Sequence, residues 1–514
     1  MNPPSTVSEN NKRIAKNTLM LYVKMGVTML VSLYTSRVVL EVLGICDYGI
    51  YNVVGGFVAL FALISGALSI SISRFFAFEL GRENHGNLQR IFSLALLIQV
   101  LLGVLLFVAI STVGVWFVSN KLIIPPERLS AALIVLFLSG ISFFISLISV
   151  PYNAAIIAHE RMKAFAYVGV FEAILKLFVA YSLVVIPFDK LVVYGTLSVG
   201  TSLIIRSVYA VYCKKHFPEC SFRFCWDGAL FRRMFSFAGW AFLGNGSFVL
   251  KSQGVNVVLN MFCGAAVNAA CGVATQVTTA VTSFVSNFMQ AVNPQITKSF
   301  SMGRLSEMHM LIFRSSRFSF FLMLLLCLPV MKGVDYILGI WLVDVPMFTA
   351  SFIKLSFVFC LVDCLVMPVM FGLLAEGNIR NYEIFLGVTN TLNLPFSYFA
   401  LRAEFPPESV FIISIMIGVV VAVGRLWLAK NAYALSPRKF LESVLLPTGG
   451  VCFGSGMFTW FLDIPIESEI LKFIIQTGLI FAVTSGLVGC IGLNNRERKF
   501  IRGQLGGLRR ALWG

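Results

Sequence analysis

Apolar residues run through this chain in continuous blocks of about twenty, separated by short polar stretches. A helix of about twenty apolar residues covers the hydrocarbon core of a bilayer. Lipid offers no partners to backbone amides, so only helices and closed barrels survive there. Barrel strands would alternate over about ten residues, and these blocks do not. The pattern predicts an all-α membrane protein with about fourteen spans, at 17–40, 51–73, 91–118, 131–157, 164–186, 191–212, 238–262, 267–291, 318–331, 348–375, 384–401, 411–429, 444–462 and 471–493. No interruption is long enough to form a domain. The largest, near 213–237, mixes Lys214, Lys215, Arg232 and Arg233 with Trp226, as suits a segment resting on an anionic leaflet.

Composition agrees with the pattern: 58% of the 514 residues are hydrophobic and 12% charged, against about a quarter charged in soluble domains. The net charge of +16 would suit a nucleic-acid binder, but its distribution argues otherwise. With the N-terminus placed inside, 27 of the 40 Lys and Arg fall on inner segments, six on outer segments and seven within spans. That bias is the positive-inside pattern, so both chain ends are expected in the cytosol and no nucleic-acid partner is expected. The first span is too long for a signal peptide and carries Lys24 and Arg37. The eleven Cys lie mainly in apolar stretches without metal-like spacing, so neither disulfides nor zinc are expected.

A faint repeat crosses the midpoint. Val38-Val39-Leu40 followed by Gly44 resembles Val257-Val258-Leu259 followed by Gly264, and Gly81-Arg82 resembles Gly303-Arg304. Six spans before the midpoint would make the halves parallel repeats. The expected organisation is a bundle over 1–213, a linker at 214–237, a second bundle over 238–430, and two further helices with a basic tail over 431–514.

Several stretches carry a family resemblance. They are Thr35-Ser36-Arg37-Val38-Val39-Leu40, Asp47-Tyr48-Gly49-Ile50-Tyr51-Asn52, Val150-Pro151-Tyr152-Asn153 running on to His159-Glu160-Arg161-Met162, Asn293-Pro294-Gln295-Ile296-Thr297-Lys298, Trp341-Leu342-Val343-Asp344, and Glu376-Gly377-Asn378-Ile379. In this order they resemble the oligosaccharide flippases of the multidrug/oligosaccharidyl-lipid/polysaccharide exporter superfamily. The resemblance implies two pseudo-symmetric six-helix bundles in a V, opening alternately to each side, plus two extra C-terminal helices. It implies translocation of an undecaprenyl-pyrophosphate-linked oligosaccharide across the bacterial cytoplasmic membrane for surface polysaccharides such as capsule or lipopolysaccharide. The implied partners are that lipid-linked oligosaccharide, membrane lipid, H+ or Na+ as coupling ion, and the polysaccharide polymerase machinery. No cofactor is implied.

Ionisable residues within spans usually face an interior cavity, and a pyrophosphate there needs cationic partners. Seven bases, Lys24, Arg37, Lys176, Arg206, Lys251, Lys354 and Arg425, stand against two acids, Glu172 and Asp363. Glu172 and Lys176, four residues apart, can instead neutralise each other. Arg206, Lys354 and Arg425 lie toward span ends and can snorkel. Lys24 and Arg37 are thirteen residues apart, about 20 Å along a helix and about 140° around it. They cannot share one lumen on a straight helix, and Arg37 is the favoured member. Lys251 lies too deep to snorkel easily, though it points away from the polar stripe of Asn245, Ser252 and Asn256. Gln276, Ser283, Asn287 and Gln290 share one helical face with Thr279 beside it, suited to sugar hydroxyls or to interhelical hydrogen bonds. Asp363 is the candidate for ion coupling, with pairing to a base as the alternative.

Enzymatic motifs are missing: His159-Glu160 starts no H-E-x-x-H, and no phosphate-binding Gly-x-x-x-x-Gly-Lys loop occurs. A transporter is therefore expected. A cation-coupled drug exporter of the same superfamily would favour acidic or apolar lumen residues. A glycan polymerase or ligase would need a large outer loop.

Overall fold

A computed structural model describes residues 7–59, 61–82, 85–120, 125–224, 227–342, 345–494 and 497–498. The helices are α1 (Val7–Ala59), α2 (Ala62–Gly81), α3 (His85–Ala109), α4 (Val115–Asn120), α5 (Leu129–Ala158), α6 (Met162–Val185), α7 (Lys190–His216), α8 (Gly228–Ser301), α9 (Leu305–Lys332), α10 (Val334–Trp341), α11 (Thr349–Glu376), α12 (Arg380–Thr391), α13 (Asn393–Arg402), α14 (Ser409–Tyr433), α15 (Pro437–Phe440), α16 (Leu446–Phe461) and α17 (Glu469–Leu487). Among the described residues there is no strand. The chain is a multi-pass helical membrane protein.

Among the described residues, ten helical segments are long and apolar enough to cross a bilayer, from Asn87–Asn120 to Glu469–Gly492. Each overlaps one of the expected spans from the third to the sixth and the ninth to the fourteenth. The other four expected spans fall within α1, α2 and α8. At 1.5 Å per residue, the 53 residues of α1 would reach about 80 Å if straight, far beyond one crossing. Gly44, at φ 76° and ψ 169°, breaks the helix between the first two expected spans. Continuous in hydrogen bonding over 74 residues, α8 must also turn back on itself. The Cys271 thiol reaches Asn256 Oδ1 at 3.1 Å, whereas fifteen residues of straight helix span about 22 Å.

The chain packs as two compact units. The first comprises 1–246, 290–304 and 377–383; the second comprises 247–289, 305–376 and 384–514. In the first unit α1 runs along α6, and α5 along α7. Val39, Leu43, Val54, Ile110, Val135 and Leu136 form its buried centre. In the second unit α11 packs between α9 and α14, with α16 and α17 against α9.

Polar contacts sort the loops of the first unit into two sets, one at each end. Arg128 bridges Asp47 and Asp189, with Nη1 2.6 Å from the latter. Asp189 also caps α7 by accepting from the Leu191 amide at 3.0 Å, and Lys190 donates to the Val42 carbonyl. At the opposite end Asn17 donates to the Glu160 carbonyl, His159 meets Glu219 at 2.5 Å, and Gln89 donates to Ser221 at 2.7 Å. The first set joins loops that the charge count assigns outward, and the second joins loops that it assigns inward.

The two glycines of the faint repeat do different work. Gly303 has φ +72°, the left-handed conformation that ends a helix most easily with glycine. Gly81 is ordinary helix, but a Cβ there would meet Ser301 Oγ and the Lys298 carbonyl. It permits close approach of α2 to the end of α8.

Candidate functional site

The first unit holds a cavity of about 610 Å³ bordered by α1, α2, α5, α6 and α7, within the range of small-molecule sites. Its α5 wall is a stripe of Ser139, Ser142, Ser146, Ser149 and Asn153. The intervals of three and four residues put these side chains on one helical face. On α7, Ser198, Thr201, Ser202 and Tyr209 form a second polar stripe. A helix can carry such residues in a membrane because a hydroxyl can return its hydrogen to the preceding turn. Ser149 donates to Ile145, Ser198 to Tyr194, Thr201 to Leu197 and Ser202 to Ser198, all at 2.7–3.1 Å. Their oxygen lone pairs remain acceptors. Among the described residues Ser142 Oγ and Asn153 Oδ1 are buried without a hydrogen-bond partner, while the Asn153 side chain bonds to Tyr209. Such groups are costly unless something occupies them.

Charge enters the cavity from α6. Lys176 Nζ and Glu172 Oε1 stand 2.6 Å apart and both residues line the space. They therefore neutralise each other and face the cavity at the same time. Glu172 also acts electrostatically on Lys24 of α1. Its ammonium sits 3.6 Å from the Phe165 ring centre, with its stem against Gly169. Arg206 lies over Tyr152, one residue from Asn153, at 5.7 Å. The Arg37 side chain is outside the described residues. Lys24 and Arg206 thus flank the cavity rather than line it.

The second unit buries a separate charge cluster. Lys251 is 7% exposed and stands 4.3 Å over the Phe359 ring, a contact that offsets part of its desolvation. Asp363, one helical turn along α11, acts electrostatically on Lys251 and pairs with Arg425 at 2.8 Å. The expected coupling residue is thus held in an ion pair and also acts on a second cation, Lys251. Lys354 is exposed on α11.

The expected polar face of α8 divides. Gln276 and Thr279 are exposed, while Ser283, Asn287 and Gln290 are half-buried. Asn287 donates to the Ser283 carbonyl at 2.9 Å, and Thr279 to that of Thr275 at 2.8 Å. Gln276, Thr279, Ser283 and Asn287 belong to the second unit and Gln290 to the first.

The serine stripe of α5 is the main feature absent from the sequence reading. It was visible as polar residues at positions 139, 142, 146, 149 and 153 inside an apolar block. Serine barely lowers a span's mean hydropathy, and attention to charges passes over it.

The chain is similar in fold to solved transporters. A multidrug resistance MATE family transporter of the MOP superfamily, in an outward-facing conformation, superposes with a TM-score of 0.70 at 16% identity, covering 83% of this chain and 97% of that one. A MOP superfamily transporter from Pyrococcus furiosus, described as having a binding pocket of reversed polarity, gives 0.69 at 16% identity, covering 82% and 95%. No curated protein matches at a significant level. The sequence profile of the polysaccharide biosynthesis protein family matches residues 14–300, more than half of the chain. That match places the chain in the polysaccharide biosynthesis protein family, with the fold of MOP superfamily transporters.

Proposed function

We propose that this transporter is a flippase for an undecaprenyl-pyrophosphate-linked oligosaccharide, moving it from the inner to the outer leaflet of the bacterial cytoplasmic membrane by alternating access. The hydroxyl-lined cavity of the first unit carries this reading. Its two polar stripes offer the hydroxyl oxygens that sugar hydroxyls need when they leave water. The family's role in polysaccharide biosynthesis supports the same substrate class.

In this reading Lys24, Arg37, Arg206 and Lys251 balance the pyrophosphate, and the α8 residues Gln276, Thr279, Ser283, Asn287 and Gln290 serve the glycan. Asp363 is the coupling group for H+ or Na+. The working bundles are 1–213 and 238–430, joined by 214–237, with 431–514 appended and both chain ends cytosolic. Multidrug transport, the activity named for one structural relative, is the competing reading.

Cells lacking the chain should trap lipid-linked oligosaccharide on the inner leaflet and lose surface glycan. Unchanged glycan together with new sensitivity to cationic drugs would assign the protein to drug export instead.

A further inference from the structure

Glu160 occupies the turn between α5 and α6 with φ 58°, a left-handed conformation uncommon for residues other than glycine, asparagine and aspartate. It is 5% exposed. Strain of this kind persists when surrounding contacts over-determine it, and here they come from distant parts of the chain. Asn17 of α1 donates to its carbonyl at 3.2 Å. Gln295 donates to Oε2 at 3.0 Å and Lys298 to Oε1 at 2.8 Å, both from the C-terminal end of α8. One turn before Gln295, Ala291 packs in a buried cluster with Leu21 and Met162.

A second set of contacts lies in the same unit. Arg74 of α2 stacks over Phe75, Phe78 and Phe237. Its guanidinium lies so close to Gly377 that a Cβ there would overlap Nη2, and Gly377 has φ +96°. Phe78 meets Phe300, and Arg380 lies over Trp240 at 5.6 Å. Segments 290–304 and 377–383 therefore pack with the first unit, although the stretches before and after each pack with the second. The stretches that carry the family resemblance around Glu160, Gln295 and Gly377 thus meet in one unit.

We propose that Glu160, held by Gln295 and Lys298, and Arg74, seated against Gly377, are the two halves of a latch that fixes segments 290–304 and 377–383 to the first half of the chain. Release of this latch is the step that opens the transporter at the end where the inward-assigned loops gather. A carboxylate gripped by one cation and one amide suits such a step. The contact is strong while dry and is replaced by water contacts once separated. The inference concerns the transport cycle and holds for either class of cargo.

Hydrogen–deuterium exchange on the full-length protein in lipid nanodiscs tests it. Lys298→Met removes the cation and leaves the α5–α6 turn alone. Glu160→Gly removes the carboxylate but relieves the left-handed strain, so a residue serving only the turn would tolerate it. Both variants should speed exchange across 290–304 by roughly tenfold or more, the scale of a lost charge-assisted contact. Peptides from 437–461 should keep their rates. Combining Glu160→Lys with Lys298→Glu should restore slow exchange, and Arg74→Ala should speed 377–383. Wild-type exchange across 290–304 in Lys298→Met, or a charge swap that restores nothing, would overturn the latch.

Discussion

A chain carrying Ser146→Phe should reach the membrane at its usual level and export roughly ten- to a hundredfold less glycan, the range that misfitting groups cost in a shaped pocket. Ser146 is exposed on α5 and faces the cavity. A larger side chain there meets open space rather than packed neighbours, so folding is spared. Filling the cavity removes room and covers the acceptors that sugar hydroxyls would use. Ser146→Thr keeps the hydroxyl and adds one methyl, and should retain most transport. Surface glycan, measured beside the amount of protein in isolated membranes, separates the two variants. Equal export by Ser146→Phe and the parent would remove the cavity from the transport route.

The second large effect concerns stability and is asymmetric. In the Asp363–Arg425 pair the Arg425 side chain is 7% exposed and that of Asp363 is 41% exposed. Asp363→Ala leaves a guanidinium buried near Lys251 with their shared counter-charge gone. The expected loss is about 3–5 kcal/mol, as for other broken buried pairs. Arg425→Met leaves a half-exposed carboxylate that still faces Lys251, so it should cost roughly 1–2 kcal/mol less. Replacing both, as Asp363→Leu with Arg425→Met, should return stability toward that of the parent. Denaturant unfolding in detergent gives all three values. Equal losses from the two single changes would show that Lys251 takes no part in the cluster.

The spans were legible because each depends on a long run of apolar residues, and averaging over twenty positions suppresses local exceptions. The blocks at 131–157 and 411–429 fall inside Pro126–Ala158 and Ser409–Tyr433. Helix breaks were less legible. Gly44 interrupts α1, but nothing in one sequence tells a glycine that bends a helix from Gly26, which is compatible with uninterrupted helix. The burial of Lys251 was predictable from its depth. Its neighbours were not, because Phe359 and Asp363 arrive from another helix.

The Glu160–Lys298 contact lies further still from local pattern, its partners standing 138 positions apart in the chain. Its residues stood out in the sequence only through the family resemblance, where they look like scaffold. The cavity occupies an intermediate position. Its α5 stripe is a local periodicity that could be read directly, whereas the facing α7 stripe becomes a wall only after the two helices pack side by side.

The central claim is tested most directly with purified protein in vesicles that hold an undecaprenyl-pyrophosphate oligosaccharide bearing a fluorophore on its sugar. An impermeant quencher added outside reaches only the outer-leaflet label. The parent protein should make nearly all the fluorescence quenchable, while the Ser146→Phe protein should leave the inner-leaflet half protected. An inner-leaflet fraction that stays protected with the parent protein, in vesicles that expel a cationic dye down an imposed ion gradient, would contradict the flippase account.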